Sequence, residues 1–324
     1  MNSLRRILIV SIEGDFTVQH VTDWLSVKGS SVEKIVLSDD NMVYPFFIKD
    51  LDSLCAFMMD YDLNSYDKIW FHRYKRIVTS SSNSFRNKIE LFQKEEIRTL
   101  FDYLLSELPE SLFVIHPAKI DMNKLVVLKK AKKLGMIIPH TIVTNRKDEV
   151  MGFINKYGTS VIKPLSNCFS TVYEGISYSM FTSIIDKEML VEHDDLLFPI
   201  MVQEKIAKQY EIRIFFLAGS MYSMAIFSQL DDSSRIDWRI SQQNNNLIRN
   251  VPYLLPYDVQ EKVRLLMDEL GLKTGSIDFI RSEDGDFVFL EVNPVGQFGM
   301  VSELCNYSLY HKYADFILSD KNND

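Results

Sequence analysis

The chain has 324 residues, long for a single hydrophobic core, so two or three domains are expected. With 46% hydrophobic and 25% charged residues it does not read as disordered, and a net charge of −8 without a basic face argues against a nucleic-acid partner. Cys55, Cys168 and Cys305 lie far apart, and no apolar run reaches the roughly 18 residues of a membrane span, so a reduced cytoplasmic protein without membrane contact is expected.

Arg6–Ser11 (RILIVS) predicts a buried strand, followed by a loop and a helix over Thr17–Lys28. Val18, Val21 and Leu25 recur there at helical spacing before Gly29. Val32–Leu37 and Lys68–Tyr74 read as strands, Ile89–Leu108 as a long amphipathic helix, and Leu112–Ile115 as a strand ending at His116-Pro117. Strands alternating with helices predict a parallel sheet with both faces covered over residues 1–120. His72, Arg73 and His116 fall at strand ends, where open α/β sheets place ligands; a satisfied structural histidine is the competing reading.

The composition shifts at Asp121. Asn123 caps a lysine-dense helix over Lys124–Leu134 that closes on Gly135. Ile137–Val143 predicts a strand, Lys147–Tyr157 a helix, and Ser160–Leu165 another strand. Lys124 opens its helix, where a cation opposes the dipole unless an anion is near, and Lys163 sits mid-strand between Ile162 and Pro164. Ser166–Thr171 is rich in hydroxyls but lacks glycine, and no phosphate-binding glycine motif occurs anywhere. Phe198–Glu204 reads as a strand running into Lys205-Ile206, an edge whose backbone can read an adenine ring. Glu211–Leu217 places Glu211 and Arg213 on one strand face, and Ala218-Gly219-Ser220 turns into Met221–Phe227. Pro256–Leu270 and Ser302–Leu318 predict helices.

The densest signal lies between Gly275 and Gly299. Ser276–Ile280 and Phe287–Val292 flank Asp284-Gly285, which predicts a two-residue hairpin turn. That register sets Asp278 opposite Glu291, with Asn293 on the same face. Like charges across a ladder repel, so a positive charge must sit there. Two carboxylates and an amide favour Mg²⁺ or Mn²⁺ over zinc, with water and substrate phosphates completing the shell. A solvent-facing acidic edge is the alternative, and a slip of one residue would turn Asp278 to the other face.

Lys124 at a helix start, Ile162-Lys163-Pro164, the Gln203-Glu204-Lys205-Ile206 hinge, Glu211-Ile212-Arg213 and Asp278…Glu291-Val292-Asn293-Pro294 together resemble the ATP-grasp superfamily. Phe227-Ser228-Gln229, Ile236-Asp237-Trp238-Arg239, Asn293–Phe298 and Cys305-Asn306-Tyr307 sharpen the resemblance to graspetide ligases of the microviridin and grasp-with-spasm type. The resemblance implies an α/β and α+β ATP-grasp fold behind an N-terminal parallel α/β (pre-ATP-grasp) domain, divided at 1–120, 121–200 and 201–324. It implies that Lys124 and Lys163 contact ATP phosphates, that the hinge from Gln203 to Ile206 holds adenine, and that Glu211 holds ribose. Asp278, Glu291 and Asn293 match the ligands of a pair of Mg²⁺ ions, and Asp237-Trp238-Arg239 is the element expected to recognise the core peptide and place the acceptor carboxylate. From the chemistry of phosphoryl transfer, Arg213 adds positive charge, Asp237 serves as base and Arg239 holds the carboxylate at two points.

The implied reaction joins Asp or Glu side chains of a ribosomal precursor peptide to its Ser, Thr or Lys side chains through acyl phosphates. The partner is then a peptide with a leader and a core, and exposed strand edges leave a homodimer open. The acidic run Glu192-His193-Asp194-Asp195 reads as a solvated loop, with leader engagement as the alternative. An ATP-grasp ligase adding a free amino acid to a carboxylate, and a nucleotide-binding module without catalysis, are the other readings. The lack of glycine after Lys163-Pro164 departs from the family pattern and leaves open how that loop closes over ATP.

Overall fold

The computed structural model describes residues 4–37, 57–58, 61–72, 85–166, 170–173, 176–179, 182–191, 195–230 and 248–319. It divides into two compact units, Met1–Ile120 with Ser308–Asp324, and Asp121–Tyr307.

In the first unit, β1 (Arg6–Ile12) leads into α1 (Phe16–Val27) and β2 (Ser31–Leu37). β3 (Phe57–Met58) and β4 (Tyr61–Asp62) form a short antiparallel pair, and β5 (Lys68–Phe71) completes a parallel sheet of order β2-β1-β5. Covered on both faces, β1 has no need of alternation: Ile7, Leu8, Ile9 and Val10 are all fully buried. Asp15 caps α1 by accepting from the Val18 N–H (3.2 Å) and also pairs with His72 Nδ1 (2.9 Å), while the His72 N–H donates to the Val10 carbonyl (2.8 Å). The pair ties the loop after β1 to the end of β5, so His72 is a structural histidine. His116 is another: its Nδ1 accepts from the Ala118 N–H (3.2 Å) across a short turn. Arg73 lies outside the described residues.

α2 (Phe85–Glu107) matches the predicted long helix. The strand expected at Leu112–Ile115 does not form; a single parallel bridge joins Phe113 to Ile69 after a 3-10 turn at Glu110–Leu112. The 3-10 turn takes up Leu112, and a second one begins at Pro117, so only the short stretch between them runs beside β5.

The second unit opens with α3 (Lys124–Lys133). Asn123 Oδ1 accepts from the Leu125 and Val126 N–H groups (3.0 and 3.2 Å). Then come β6 (Thr141–Arg146), α4 (Lys147–Tyr157), β7 (Ser160–Lys163), a hairpin of β8 (Ser170–Tyr173) and β9 (Ile176–Ser179), β10 (Ser183–Ile185), α5 (Lys187–Val191) and β11 (Leu196–Glu204). Four of these strands form an antiparallel sheet of order β10-β7-β11-β6. One face carries Ile142, Ile162, Ile200 and Val202 against Val150, Phe153 and Ile154 of α4 and Leu190 of α5. β6 starts later than the predicted Ile137–Val143 because Pro139 withholds a ladder donor; Ile137 instead bridges Val288.

The larger sheet comprises β12 (Lys208–Leu217), β13 (Ser220–Ile226), β14 (Asn250–Tyr253), β15 (Thr274–Ser282) and β16 (Phe287–Asn293), in the order β14-β13-β12-β15-β16. Ala218 and Gly219 make the predicted tight turn, with φ of 45° and 85°. α6 (Tyr257–Glu269) buries Val259, Val263, Leu266 and Met267.

The single helix expected over Ser302–Leu318 is two, α7 (Gly299–Leu304) and α8 (Leu309–Leu318). Asn306 and Ser308 take φ of 54° and 53°, which ends one helix and redirects the chain into the next. α8 packs on α1, with Trp24 edge-on to His311 (4.7 Å) and Lys28 paired with Asp315 (2.6 Å). The last helix therefore belongs with the first unit, whereas the sequence reading placed it in a region running from 201 to 324.

Asp15→Ala removes a helix cap and strands a buried imidazole, and should cost about 2–4 kcal/mol. Denaturant unfolding followed by tryptophan fluorescence checks this. Asp15→Asn, which keeps the cap, should recover part of the loss, and a change within about 0.5 kcal/mol for Asp15→Ala would contradict the assignment.

Candidate functional site

Asp278 lies directly opposite Glu291, and Ser276 opposite Asn293, so Asp278, Glu291 and Asn293 share one face of the β15–β16 ladder with Ser276. The turn that produces this register is not the predicted one. Glu283, Asp284 and Gly285 form a three-residue connection: the Ser282 N–H donates to the Asp286 carbonyl (2.9 Å), the Gly285 N–H to the Ser282 carbonyl (3.0 Å), and Gly285 takes φ 91°. Near the turn, Phe279 faces Phe289 and Ile280 faces Val288, one residue off the expected register. A bulge at Leu290 then inserts the missing residue and restores Asp278 to Glu291. Two offsets cancel.

The positive charge that the facing carboxylates require comes first from the protein. Arg213, on β12, pairs with Asp278, and its Nη1 donates to both carboxylate oxygens (3.0 and 2.9 Å). Lys124 Nζ, at the start of α3, stands 4.0 Å from Glu291 and donates to the Pro164 carbonyl (3.2 Å) at the end of β7. This one ammonium thus touches the end of the smaller sheet and the acidic face of the larger.

The turn after Asn293 is pinned to the same face. The Gly296 N–H donates to the Asn293 carbonyl (3.1 Å), and Arg213 Nη2 and Ser276 Oγ reach the Gln297 carbonyl (3.4 and 3.5 Å). Phe298 is buried against Phe215 (4.3 Å between rings). At Gly296 a β-carbon would fall 2.4 Å from Ser276 Cβ, so only glycine permits this approach.

On the smaller sheet, Lys163 faces Met201 and Gln203 faces Val161. These four share the side opposite the α4 layer, giving an apolar strip with a half-buried lysine at one end and a buried amide at the other. The hinge is tied at both edges: the Glu204 N–H donates to the His140 carbonyl (3.1 Å), Glu204 Oε1 accepts from the His140 N–H (2.8 Å), and the Lys205 N–H donates to the Thr159 carbonyl (3.0 Å). Thr141 Oγ1 donates to the Pro139 carbonyl (2.8 Å), so it accepts from Gln203 Nε2 (3.0 Å). Gln203 Oε1 is then a buried acceptor with no partner among the described residues, suited to an amino group brought by a ligand. Ile206 follows, half-buried, at the exit of the hinge.

Glu211 is less open than its sequence role suggested. It is buried, and its carboxylate accepts from Lys208 Nζ and from Ser228 Oγ (2.8 Å). Burial pushes its carboxyl above the usual value, against the pull of Lys208 and Ser228, with Asp278 adding to the rise. Lys208 and Ser276 carry no signal in the motifs, and Gly296 lies within the Asn293–Phe298 motif without a role assigned to it from sequence. Ser276 was legible in principle, two residues before Asp278 on the same strand face; Lys208 and Gly296 depend on contacts that no local pattern encodes. Asp237 and Arg239 lie outside the described residues, as do positions 192–194 of the acidic run.

The chemistry of the donor set fits Mg²⁺. Two half-buried carboxylates and an exposed amide offer hard oxygens on one face, the donor type that Mg²⁺ takes alongside water and substrate phosphates.

No family model and no curated protein matches the chain. Solved structures do. The Chryseobacterium gregarium RiPP-associated ATP-grasp ligase, in complex with ADP and a leader and core peptide, matches with a TM-score of 0.77 and 24% identity over 97% of each chain. The macrocyclase MdnC bound with precursor peptide MdnA, from Microcystis aeruginosa MRC, gives 0.76 and 23% over 97% of this chain and 99% of that one. The ATP-grasp ligase PsnB with minimal precursor, Mg and ADP gives 0.70 and 16% over 96% of each. The chain has the ATP-grasp fold, with a parallel sheet in its first unit and antiparallel sheets in its second, as the resemblance implied.

Gly296→Ala should destabilise the protein by about 1–3 kcal/mol through overlap with Ser276. Adding Ser276→Gly removes the atoms it strikes, so the double variant should melt higher than Gly296→Ala alone. A double variant no more stable than the single one would contradict the close approach.

Proposed function

We propose that the chain is an ADP-forming ATP-grasp ligase that activates Asp or Glu side chains of a ribosomal precursor peptide as acyl phosphates. Ser, Thr or Lys side chains of the same peptide then attack, giving ω-ester or ω-amide macrocycles. The observation that carries this reading is the face shared by Asp278, Glu291 and Asn293, with Lys124 beside it. It stands in a fold that matches ligases solved with precursor peptide over nearly the whole chain.

A carboxylate is a poor electrophile, and phosphorylation by ATP is what makes it one. In-line phosphoryl transfer needs fixed reactants and positive charge on the equatorial oxygens. Lys124 and Lys163 hold the phosphates. The hinge from Gln203 to Ile206 holds the purine, with Gln203 Oε1 accepting from its amino group. Glu211 sits toward the ribose, with Lys208 and Ser228 fixing its carboxylate. Asp278, Glu291 and Asn293 would hold Mg²⁺, whose charge supports the transferring group when bound. Arg213 adds positive charge at the same face. Arg239 grips the substrate carboxylate with a two-point geometry that lysine cannot reproduce, and Asp237 takes the proton of the attacking hydroxyl or amine. The reading also includes a pair of metal ions, a peptide with separate leader and core, action in the cytoplasm, and a homodimer.

Co-expression with a short peptide encoded nearby, followed by mass spectrometry, tests the reaction: one water is lost per linkage. A mass gain would instead favour addition of a free amino acid. Nucleotide binding without ADP formation in the presence of the true peptide would favour a non-catalytic module. Glu291→Gln with Asn293→Ala should abolish the loss of water while leaving the circular dichroism spectrum unchanged; undiminished turnover would remove the metal assignment. Arg239→Ala should reduce peptide modification far more than nucleotide affinity, and a loss confined to ATP binding would refute its substrate role.

A further inference from the structure

Each of the two facing carboxylates already has a cation of the protein beside it. Arg213 Nη1 contacts both oxygens of Asp278 at 3.0 and 2.9 Å, and Lys124 Nζ lies 4.0 Å from Glu291. The Arg213–Asp278 pair is well shielded, with side chains 11% and 17% exposed, so salt and water screen it less than a surface pair. The formal charges of these four groups cancel.

This balance treats two kinds of metal differently. A bare divalent ion approaching Asp278 must share that carboxylate with a guanidinium bonded to both of its oxygens, and it meets the like charge of Arg213 and Lys124 on the way. A divalent ion carried on a nucleoside di- or triphosphate arrives within a net negative complex. The same two cations, with Lys163 on the neighbouring sheet, then attract what they would otherwise repel.

Resting on the nucleotide-dependent reading above, we infer that Arg213 and Lys124 make the Asp278–Glu291–Asn293 site selective for a metal–nucleotide complex over the free metal. Metal loading is conditional on nucleotide, and the protein's own cations hold the site in balance against stray divalent ions. Arg213 is in this respect a positioning residue as well as a source of charge. It orients Asp278 and, through the Gln297 carbonyl, the turn that follows Asn293.

Mn²⁺ titrations followed by electron paramagnetic resonance, without nucleotide and with ADP, test the inference on the whole chain. Arg213→Met removes the charge and keeps an apolar stem. It should bind bare Mn²⁺ about tenfold more tightly than the wild type while binding Mn²⁺–ADP more weakly. Arg213→Lys should stay near the wild-type order of affinities, because it keeps the charge. Lys124→Met should shift both affinities in the same directions by a smaller factor, and carries the test if Arg213→Met fails to fold. A merely structural role for Arg213 predicts that both affinities fall together, and that result would overturn the inference. Unchanged affinity for bare Mn²⁺ in both methionine variants, with Mn²⁺–ADP binding intact, would overturn it alone. A wild-type chain that binds no Mn²⁺–ADP would remove the functional reading and this inference with it.

Discussion

A ladder that sets Asp278 directly across from Glu291 holds two negative charges with their β-carbons about 5 Å apart, and much of the second unit answers to that constraint. Arg213 comes from the adjacent strand of the same sheet, placed opposite Asp278 by the β12–β15 register. Lys124 comes from the first turn of α3, where its own helix dipole disfavours it and Glu291 compensates. The chain beyond Asn293 cannot swing away, because Gly296 sits against Ser276 and the Gln297 carbonyl is held from two sides. Charge placement and backbone packing thus reinforce one another: moving the turn would unseat Arg213, and moving Arg213 would leave Asp278 and Glu291 repelling across the sheet.

The same residues show what a sequence can disclose. Strand polarity, hairpin position and the pairing of Asp278 with Glu291 follow from alternation and an Asp-Gly signal, yet the route to that pairing was misread. The loop is one residue longer than a tight turn, and the Leu290 bulge makes up the difference. Bulges depend on twist and packing, which a linear pattern does not carry. Facing carboxylates call for a cation, and from sequence alone a metal fills that need, because the β12 neighbour of Asp278 is a tertiary fact. Arg213 was legible as a functional residue but not as the partner of that carboxylate. The broken C-terminal helix has a similar cause: Ser302–Leu318 keeps an apolar rhythm across Asn306 and Ser308, whose left-handed backbone is set by where each half packs.

Elsewhere, local chemistry was enough. An uninterrupted apolar run at Ile7–Val10 means burial on both faces and hence a parallel sheet, and Asn123 before a lysine-rich helix means a cap; both follow from single-residue physics. His72 illustrates the limit in the other direction. Its place at a strand end is where ligands often bind, and only the buried Asp15 beside it reveals a brace. At the hinge the sequence pointed to backbone groups as readers of the purine, and the Glu204 and Lys205 N–H groups are bonded to the His140 and Thr159 carbonyls, just ahead of β6 and β7. A side chain adds an unmatched acceptor there among the described residues, Gln203, whose orientation is fixed by a threonine far away in sequence.

The central claim is that Asp278, Glu291 and Asn293 grip a divalent ion that carries a nucleotide's phosphates. A crystal grown with Mn²⁺ and ADP, with anomalous differences measured at the manganese edge, addresses it most directly. The account predicts a strong peak in contact with oxygens of all three side chains and of the ADP phosphates. Manganese bound away from this face, or phosphates that do not reach it, would contradict the account.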